Sequence, residues 1–430
     1  MFTSASSTAF LFCLAEALHT CYSVFRKIHV FVFSVLLIRR SLVVILVGRI
    51  SLGSENKKFR DINSCRILFY EKNGIWFFNP FLERPMKNLV NTMTQLSRGV
   101  LGVALGLMLA IPVSAETLTV YTAVEAEDLK RYKSEFNKDH PDIDIRWVRD
   151  STGIVTAKLL AEKNNPRADI IWGLAATSLM LLQSEGMLHP YAPKGLGKLD
   201  SKFRDSANPP SWTGMDAWIA AVCVNTVEAK KNNLPTPTSW MDLTDPVYKG
   251  HLVMPNPNSS GTGFLDVSSW LQIYGERGGW QFMDNLHKNI AWYTHSGSKP
   301  CKQAARGETP IGISFAFRGA KSKAAGAPLE IVLPKEGVGW DMEATAIVKG
   351  TKKLAAAQTL ADWSITKKAN VLYNKGYAVV AYPGVAKPVK HFPAGILEAM
   401  IDNDFEFAAV NRKRILAQWQ KRYDGKSEAK

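Results

Sequence analysis

The sequence has 430 residues, 46% of them apolar and 21% charged, with a formal net charge of +15. That length predicts two domains, and that composition excludes a disordered chain or one made mainly of membrane spans. Nucleic acid is not the expected partner: residues 1–115 hold 13 Lys/Arg against 5 Asp/Glu and residues 116–430 hold 40 against 33, so most of the chain is only mildly basic.

The first 115 residues stand apart. "IHVFVFSVLLIRRSLVVILVG" is apolar, but Arg39 and Arg40 split it into runs too short to span a bilayer. Residues 56–85 show no sustained periodicity. From Met86 a basic leader with Lys87 and Arg98 precedes an apolar run, Val100 to Val113, and the small residues Ser114 and Ala115. This is the layout of a secretory signal peptide over 86–115, with a mature chain from about Glu116 exported to the periplasm. A signal peptide placed 85 residues into a chain predicts that translation starts at Met86 and that 1–85 is a non-native extension. Past it only Cys223 and Cys301 remain. In an oxidising compartment they either form one disulfide or stay as buried thiols, Cys223 lying in the apolar run "WIAAVCV". No CxxC or Cys/His cluster predicts zinc, and no lipobox-like cysteine follows the leader.

The mature chain alternates strands and helices. "TLTVYTA" reads as a strand, and "EAEDLKRYKSEFNKDHP" as a helix with Leu129, Tyr132 and Phe136 at helical spacing. "IDIRWVR" is a strand, "TGIVTAKLLAEKNN" a helix, "ADIIWG" a buried strand and "TSLMLLQSEGM" a helix. This order predicts a parallel sheet with helices on its faces, whose ligands sit at the carboxyl ends of the strands. The loops there are Tyr121-Thr122-Ala123, Asp150-Ser151-Thr152-Gly153 and Gly173 to Ser178, which contains Thr177. Each hydroxyl alone is explained as a helix N-cap; three such loops on one edge point to a shared site.

A second α/β block follows. "AWIAAVCVN" and "HLVMP" are strands, and "FLDVSSWLQIYG" and "GWQFMDNLHKNI" are helices. "KPCKQAARGE" is a helix, and "IGISFAF", "LEIVLP" and "EATAIVKG" are strands. "KKLAAAQTLADWSI" and "FEFAAVNRKRILAQWQKRY" end the chain as helices, the basic residues from Arg412 to Arg422 forming a solvated face.

Between "HLVMP" and its helix lies "PNPNSSGTGF". Ser259, Ser260 and Thr262 bring hydroxyls, Gly261 and Gly263 allow close backbone approach, and the helix start offers free N–H groups. The stretch is either a plain turn or an anion cradle; it lacks the lysine of a P-loop. In "GVGWDMEATAIVKG", Asp341 and Glu343 stand at i, i+2 beside Trp340. On a strand both point the same way, which suits an organic cation, a glycosidase pair or a solvated strand end. No G-x-S-x-G, HExxH or other enzyme or cofactor signature is present.

The signal peptide, "ADIIWGLAATS", "DPVYKGHLVMPNPNSSGTGF", "RGETPIGISFAFRG" and "LPKEGVGWDMEATAIVKG" together resemble the solute-binding proteins of ABC importers. The similar family is the two-lobed one that includes the iron(III)-binding proteins, and within it the 2-aminoethylphosphonate binders are the most similar. The resemblance covers residues 116–430. It implies an α/β, type II periplasmic binding protein, each lobe a central sheet flanked by helices and joined by hinge strands. Lobe 1 is expected at 116–221 and 336–392, lobe 2 at 226–331 and 393–430, with hinges near 222–225 and 332–335. It also implies a monomer that closes on a small molecule and hands it to permease subunits, without a cofactor. The adjacent tyrosines of the iron binders are replaced by Ala316 and Phe317, which ranks iron low. Ser259, Ser260, Gly261 and Thr262 are expected to hold a phosphonate with Thr122, Ser151, Thr152 and Thr177. Asp341 and Glu343 would take the ammonium with Trp340 or Trp172 as a wall, and Arg318 would add charge to the phosphonate. The rivals are binders of another anion, a polyamine or Fe(III), and an exported hydrolase using Asp341 and Glu343.

Overall fold

The computed structural model describes residues 115–429 and, before them, the backbone of three short strands, Val43–Val44, Phe69–Glu71 and Gly74–Trp76, paired antiparallel. The expected signal peptide lies outside the described residues. The chain divides into two compact units, residues 1–111 and 112–430; the second is the one with described side chains.

That unit is α/β, as expected. β1 (Glu116–Thr122) lies between β2 (Ile143–Arg149) and β3 (Ile170–Ala175), all parallel. The crossovers are α1 (Ala126–Asp139) and α2 (Thr152–Ala161), and α3 (Ala176–Ser184) follows β3. α1 buries Leu129, Tyr132 and Phe136, its apolar stripe. β3 is buried from end to end, which is why it reads as a continuous apolar run rather than an alternating one. After the short β4 (Leu188–His189) comes β5 (Thr213–Asn225), 13 residues and buried throughout.

The second half contains α4 (Thr226–Lys231), β6 (Leu252–Pro255), α5 (Gly261–Asn289), β7 (Ile290–Thr294) and α6 (Lys299–Ala305). It continues with β8 (Ile311–Phe315), α7 (Ala316–Ala324) and β9 (Leu329–Val332). The chain then returns through β10 (Trp340–Val348), α8 (Leu354–Ser364), α9 (Lys367–Tyr373) and β11 (Val379–Val380), and ends in α10 (Phe405–Tyr423). The sheet order is β7-β6-β8-β5-β10-β3-β1-β2, with β9 and β11 on β5 and β4 on β10.

β5 joins the halves. Its residues up to Ile219 pair with β10, and from Ala220 onward they pair with β8. The pairing of β5 changes partner at Ile219–Ala220, and the chain returns between β9 and β10 over residues 333–339. α10 packs on both α3 and α5, so the C-terminal segment expected in lobe 2 touches both halves. Arg412 is correspondingly buried, its guanidinium 4.0 Å from the Phe264 ring centre, and is not on a solvated face.

Three further local features differ from expectation or resolve an open alternative. The two helices expected around Gly275 run on as α5, broken only at that glycine, whose φ of 73° favours glycine. Ala316 and Phe317 begin α7 instead of ending a strand. Cys223 and Cys301 are bonded, tying β5 to α6.

Candidate functional site

The carboxyl ends of β1, β2 and β3 face those of β6, β7 and β8 across a cleft. Between them lies a cavity of about 50 Å³, room for a few water molecules as it stands. Its lining has two chemically different sides.

One side is hydroxyls and helix starts. Ser151 is the N-cap of α2, yet its side chain makes no capping bond, so its hydroxyl and that of Thr152 are free to face the cavity. Opposite them Ser260 caps α5, accepting from the Gly263 amide at 3.3 Å, and Gly261 and Thr262 follow it in the wall. A third stretch, Ser296-Gly297-Ser298, is held by the Ser314 hydroxyl, which donates to the Gly297 carbonyl at 2.6 Å. These loops pack closely: a Cβ on Gly261 would meet Thr152 Oγ1 at 2.6 Å, and one on Gly297 would meet Thr262 Oγ1 at 2.3 Å. Arg149, at the end of β2, is the one Lys or Arg in the lining; its Nε donates to the Val124 carbonyl at 3.1 Å. Two helix N-termini, several hydroxyls and a guanidinium make an anion-binding surface.

The other side is acidic and aromatic. Glu343 lines the cavity with Trp218, Phe315 and Tyr377. The Tyr377 hydroxyl donates to Glu343 Oε1 at 3.1 Å. Burial pushes the Glu343 carboxyl up to about 8; the Tyr377 bond and Arg149 oppose this, while Asp128 and Glu125 reinforce it. Glu125 also lines the cavity, and Arg318 donates to it at 2.5 Å.

The expected residues therefore divide. Ser151, Thr152, Ser260, Gly261, Thr262 and Glu343 line the cavity. Ser259 stands just outside the lining, its hydroxyl spent on the His295 carbonyl at 2.7 Å. Thr122 is buried with its Oγ1 accepting from the Val124 amide at 3.1 Å. Thr177 and Asp341 are not on the wall, because they bond each other at 2.6 Å. Burial lifts Asp341 to about 6 against that bond and the Met342 amide. Although Asp341 and Glu343 share a strand face, they lie two residues apart along it and meet different neighbours: Trp218 stands opposite the first and Asp216 opposite the second.

Neither expected wall is a tryptophan of the cavity. Trp172 is fully buried among Tyr132, Trp147 and Tyr373, with ring centres 5.1, 5.5 and 5.9 Å away. Trp340 packs on Phe405 and donates to the Ile401 carbonyl at 2.9 Å. Trp218 takes the place assigned to them. Arg318 does not reach the anion side; it is paired with Glu125 and Glu127. Arg149, Trp218, Phe315 and Tyr377 were not singled out from sequence. Of these only Arg149 carried a signal, a cation at a strand's carboxyl end directly before a hydroxyl loop.

Comparison with known proteins bears on the family and the fold. Residues 165–408 match the family model described as bacterial extracellular solute-binding protein. A Haemophilus influenzae protein of uncharacterized function is 31% identical over 286 residues, covering 65% of this chain and 82% of that one. A probable ABC transporter periplasmic-binding protein of Sinorhizobium fredii, y4fP, is 26% identical over 272 residues, 59% of this chain and 71% of that one. Among solved structures, the periplasmic binding protein AfuA of Actinobacillus pleuropneumoniae, with exogenous fructose-6-phosphate bound, superposes with a TM-score of 0.67 at 30% identity. That match covers 72% of this chain and 99% of AfuA. With the family model spanning more than half of the sequence and the fold in agreement, the chain belongs to the bacterial extracellular solute-binding protein family.

Proposed function

We propose that this chain is the periplasmic solute-binding component of an ABC importer and that its cargo is 2-aminoethylphosphonate. The observation that carries the reading is the pairing of two unlike poles in one small cavity. Arg149, Ser151, Thr152, Ser260, Gly261 and Thr262 present donors suited to a phosphonate, and Glu343 stands among Trp218, Phe315 and Tyr377, a setting suited to an ammonium. The halves close on the ligand by movement at Ile219–Ala220 and 333–339, and the closed form is what the permease recognises.

A sugar phosphate is the second reading, favoured by the fructose-6-phosphate in AfuA. It would use the same anion pole and differ at Glu343, where a hydroxyl would replace the ammonium. Iron is disfavoured because Ala316 and Phe317 stand where the iron binders carry tyrosines. A hydrolase using Asp341 with Glu343 is disfavoured because Asp341 is engaged by Thr177 away from the cavity.

Calorimetric titration of Ser260→Ala/Thr262→Ala with 2-aminoethylphosphonate tests the anion pole. Binding should weaken more than tenfold, about 1.5–3 kcal/mol for charge-assisted bonds. Unchanged affinity would remove these residues from the site.

A further inference from the structure

Glu343 has a carboxyl neighbour that the site does not otherwise use. Asp216 on β5 stands directly opposite Glu343 on β10 in the antiparallel register, and opposite residues in such a ladder point to the same face with Cβ atoms about 5 Å apart. Asp216 is fully buried, and neither of its carboxylate oxygens has a hydrogen-bond partner among the described residues.

Among the described residues, the cations around the pair are bonded to other carboxylates, Arg149 excepted. α1 contributes Glu125, Asp128 and the Tyr132 phenol; α9 and the segment after it contribute the Tyr373 and Tyr377 phenols. Lys302 and Arg318 answer Glu125, and Arg131 and Lys321 answer Asp128. Arg149 reaches the field of Glu343 from β2 but is shared with the anion pole. An unpaired buried carboxylate is costly, and two side by side cannot both ionise. Burial accordingly raises both groups.

We propose that Glu343 stays protonated beside Asp216 in the empty cavity and gives up that proton when a cationic group enters, so that capture of the ligand's ammonium is coupled to proton release. The step balances as Glu343 carboxylic acid plus ligand ammonium going to a carboxylate–ammonium pair, with one proton passing to solvent and Asp216 unchanged. A neutral hydroxyl in the same place draws no proton from Glu343. The coupling therefore separates cationic cargo from sugar-like cargo at one residue. It rests on the zwitterion reading above.

The test compares two ligands with the same head group, 2-aminoethylphosphonate and ethylphosphonate, by calorimetry in buffers of different ionisation enthalpy. The ammonium lowers the second ionisation of its own phosphonate, so the phosphonate proton differs between the two ligands, and Glu343→Gln, which keeps that difference, supplies the baseline. Measured against Glu343→Gln with the same ligand, the wild type at pH 6–7 should release about one proton more on binding 2-aminoethylphosphonate and no more on binding ethylphosphonate. Its affinity for the amine relative to the variant should rise by about tenfold for each unit that pH increases toward about 8. In Glu343→Gln only the phosphonate's own share of the proton release should remain. Proton release on binding 2-aminoethylphosphonate that is the same in the wild type and in Glu343→Gln would overturn the coupling while leaving the zwitterion reading intact. Binding of ethylphosphonate with no binding of 2-aminoethylphosphonate would overturn the reading itself.

Discussion

Gly153 and Ser259 meet across the cleft. The Gly153 amide donates to the Ser259 carbonyl at 2.9 Å, and a Cβ on Gly153 would stand 2.1 Å from the Asn258 carbonyl oxygen. The contact joins the first turn of α2 to the loop before α5, so it belongs to the closed arrangement of the halves. Gly153→Ala should hold them apart. The helix itself gains, since alanine is favoured over glycine in a helix by about 1 kcal/mol. The variant should thus keep or raise its melting temperature while binding 2-aminoethylphosphonate at least about tenfold more weakly, a loss near 1.4 kcal/mol. Unchanged affinity would show that closure does not need this approach.

Arg318 bridges the cleft in a second place, donating to Glu125 at 2.5 Å and pairing with Glu127 at 2.8 Å, with Lys321 on Glu127 at 3.0 Å. Burial would raise the Glu127 carboxyl, but Arg318 and Lys321 hold it down to about 2 from an ordinary 4.5. A lowered carboxyl contributes stability above its ordinary range and loses it as pH falls from about 4.5 toward 2. Small-angle scattering of unliganded Arg318→Met should show a larger radius of gyration than the wild type at pH 7. Superimposable profiles would confine the network to stability within the closed form.

Glu343 carries the opposite sign. Its carboxyl is raised from 4.5 to about 8, chiefly by burial, so between those values the folded state holds a proton the unfolded chain has lost. Stability of the unliganded protein then falls as pH rises through that window. Glu343→Gln removes this share of the slope. Urea unfolding at pH 5 and pH 8 should show the variant gaining on the wild type at the higher pH. A difference that is the same at both values would contradict the assignment.

The Cys223–Cys301 bond closes a separation of 78 residues. It anchors α6, whose preceding loop supplies Ser296 and Ser298 to the cavity. Cys223→Ser with Cys301→Ser should cost about 2–4 kcal/mol of stability and should also weaken ligand binding, because the serine loop loses its tether. Unchanged binding together with lost stability would separate the staple from the site.

Much of the fold was legible because period and punctuation agreed: "IDIRWVR" before Asp150 and Ser151, or "HLVMP" before the serine loop, mark strand ends leading into helices. The place of Ser151, Thr152, Ser260, Gly261 and Thr262 on the cavity wall was legible for the same reason, since a loop at a strand's carboxyl end needs only local sequence. Trp172 misled because a tryptophan beside a site loop looks like a wall, while it lies inside β3 next to the register shift at Gly173, φ 71°, with its indole in the core. Asp341 misled because alternation tells which face a side chain takes but not what stands opposite. Trp218 reaches the cavity beside β10 through the β5–β10 pairing, and Tyr377 reaches it just ahead of β11, which pairs with β5, tertiary events that no local pattern announces.

The most direct measurement of the central claim is a calorimetric panel on the wild-type protein with 2-aminoethylphosphonate, fructose 6-phosphate, inorganic phosphate, putrescine and Fe(III). Tight one-to-one binding of 2-aminoethylphosphonate, at least about a hundredfold or 2.8 kcal/mol stronger than every other member, is the predicted result. Preferential binding of fructose 6-phosphate would contradict the ammonium pole at Glu343, and preferential binding of putrescine would contradict the anion pole built on Arg149, Ser151 and Ser260.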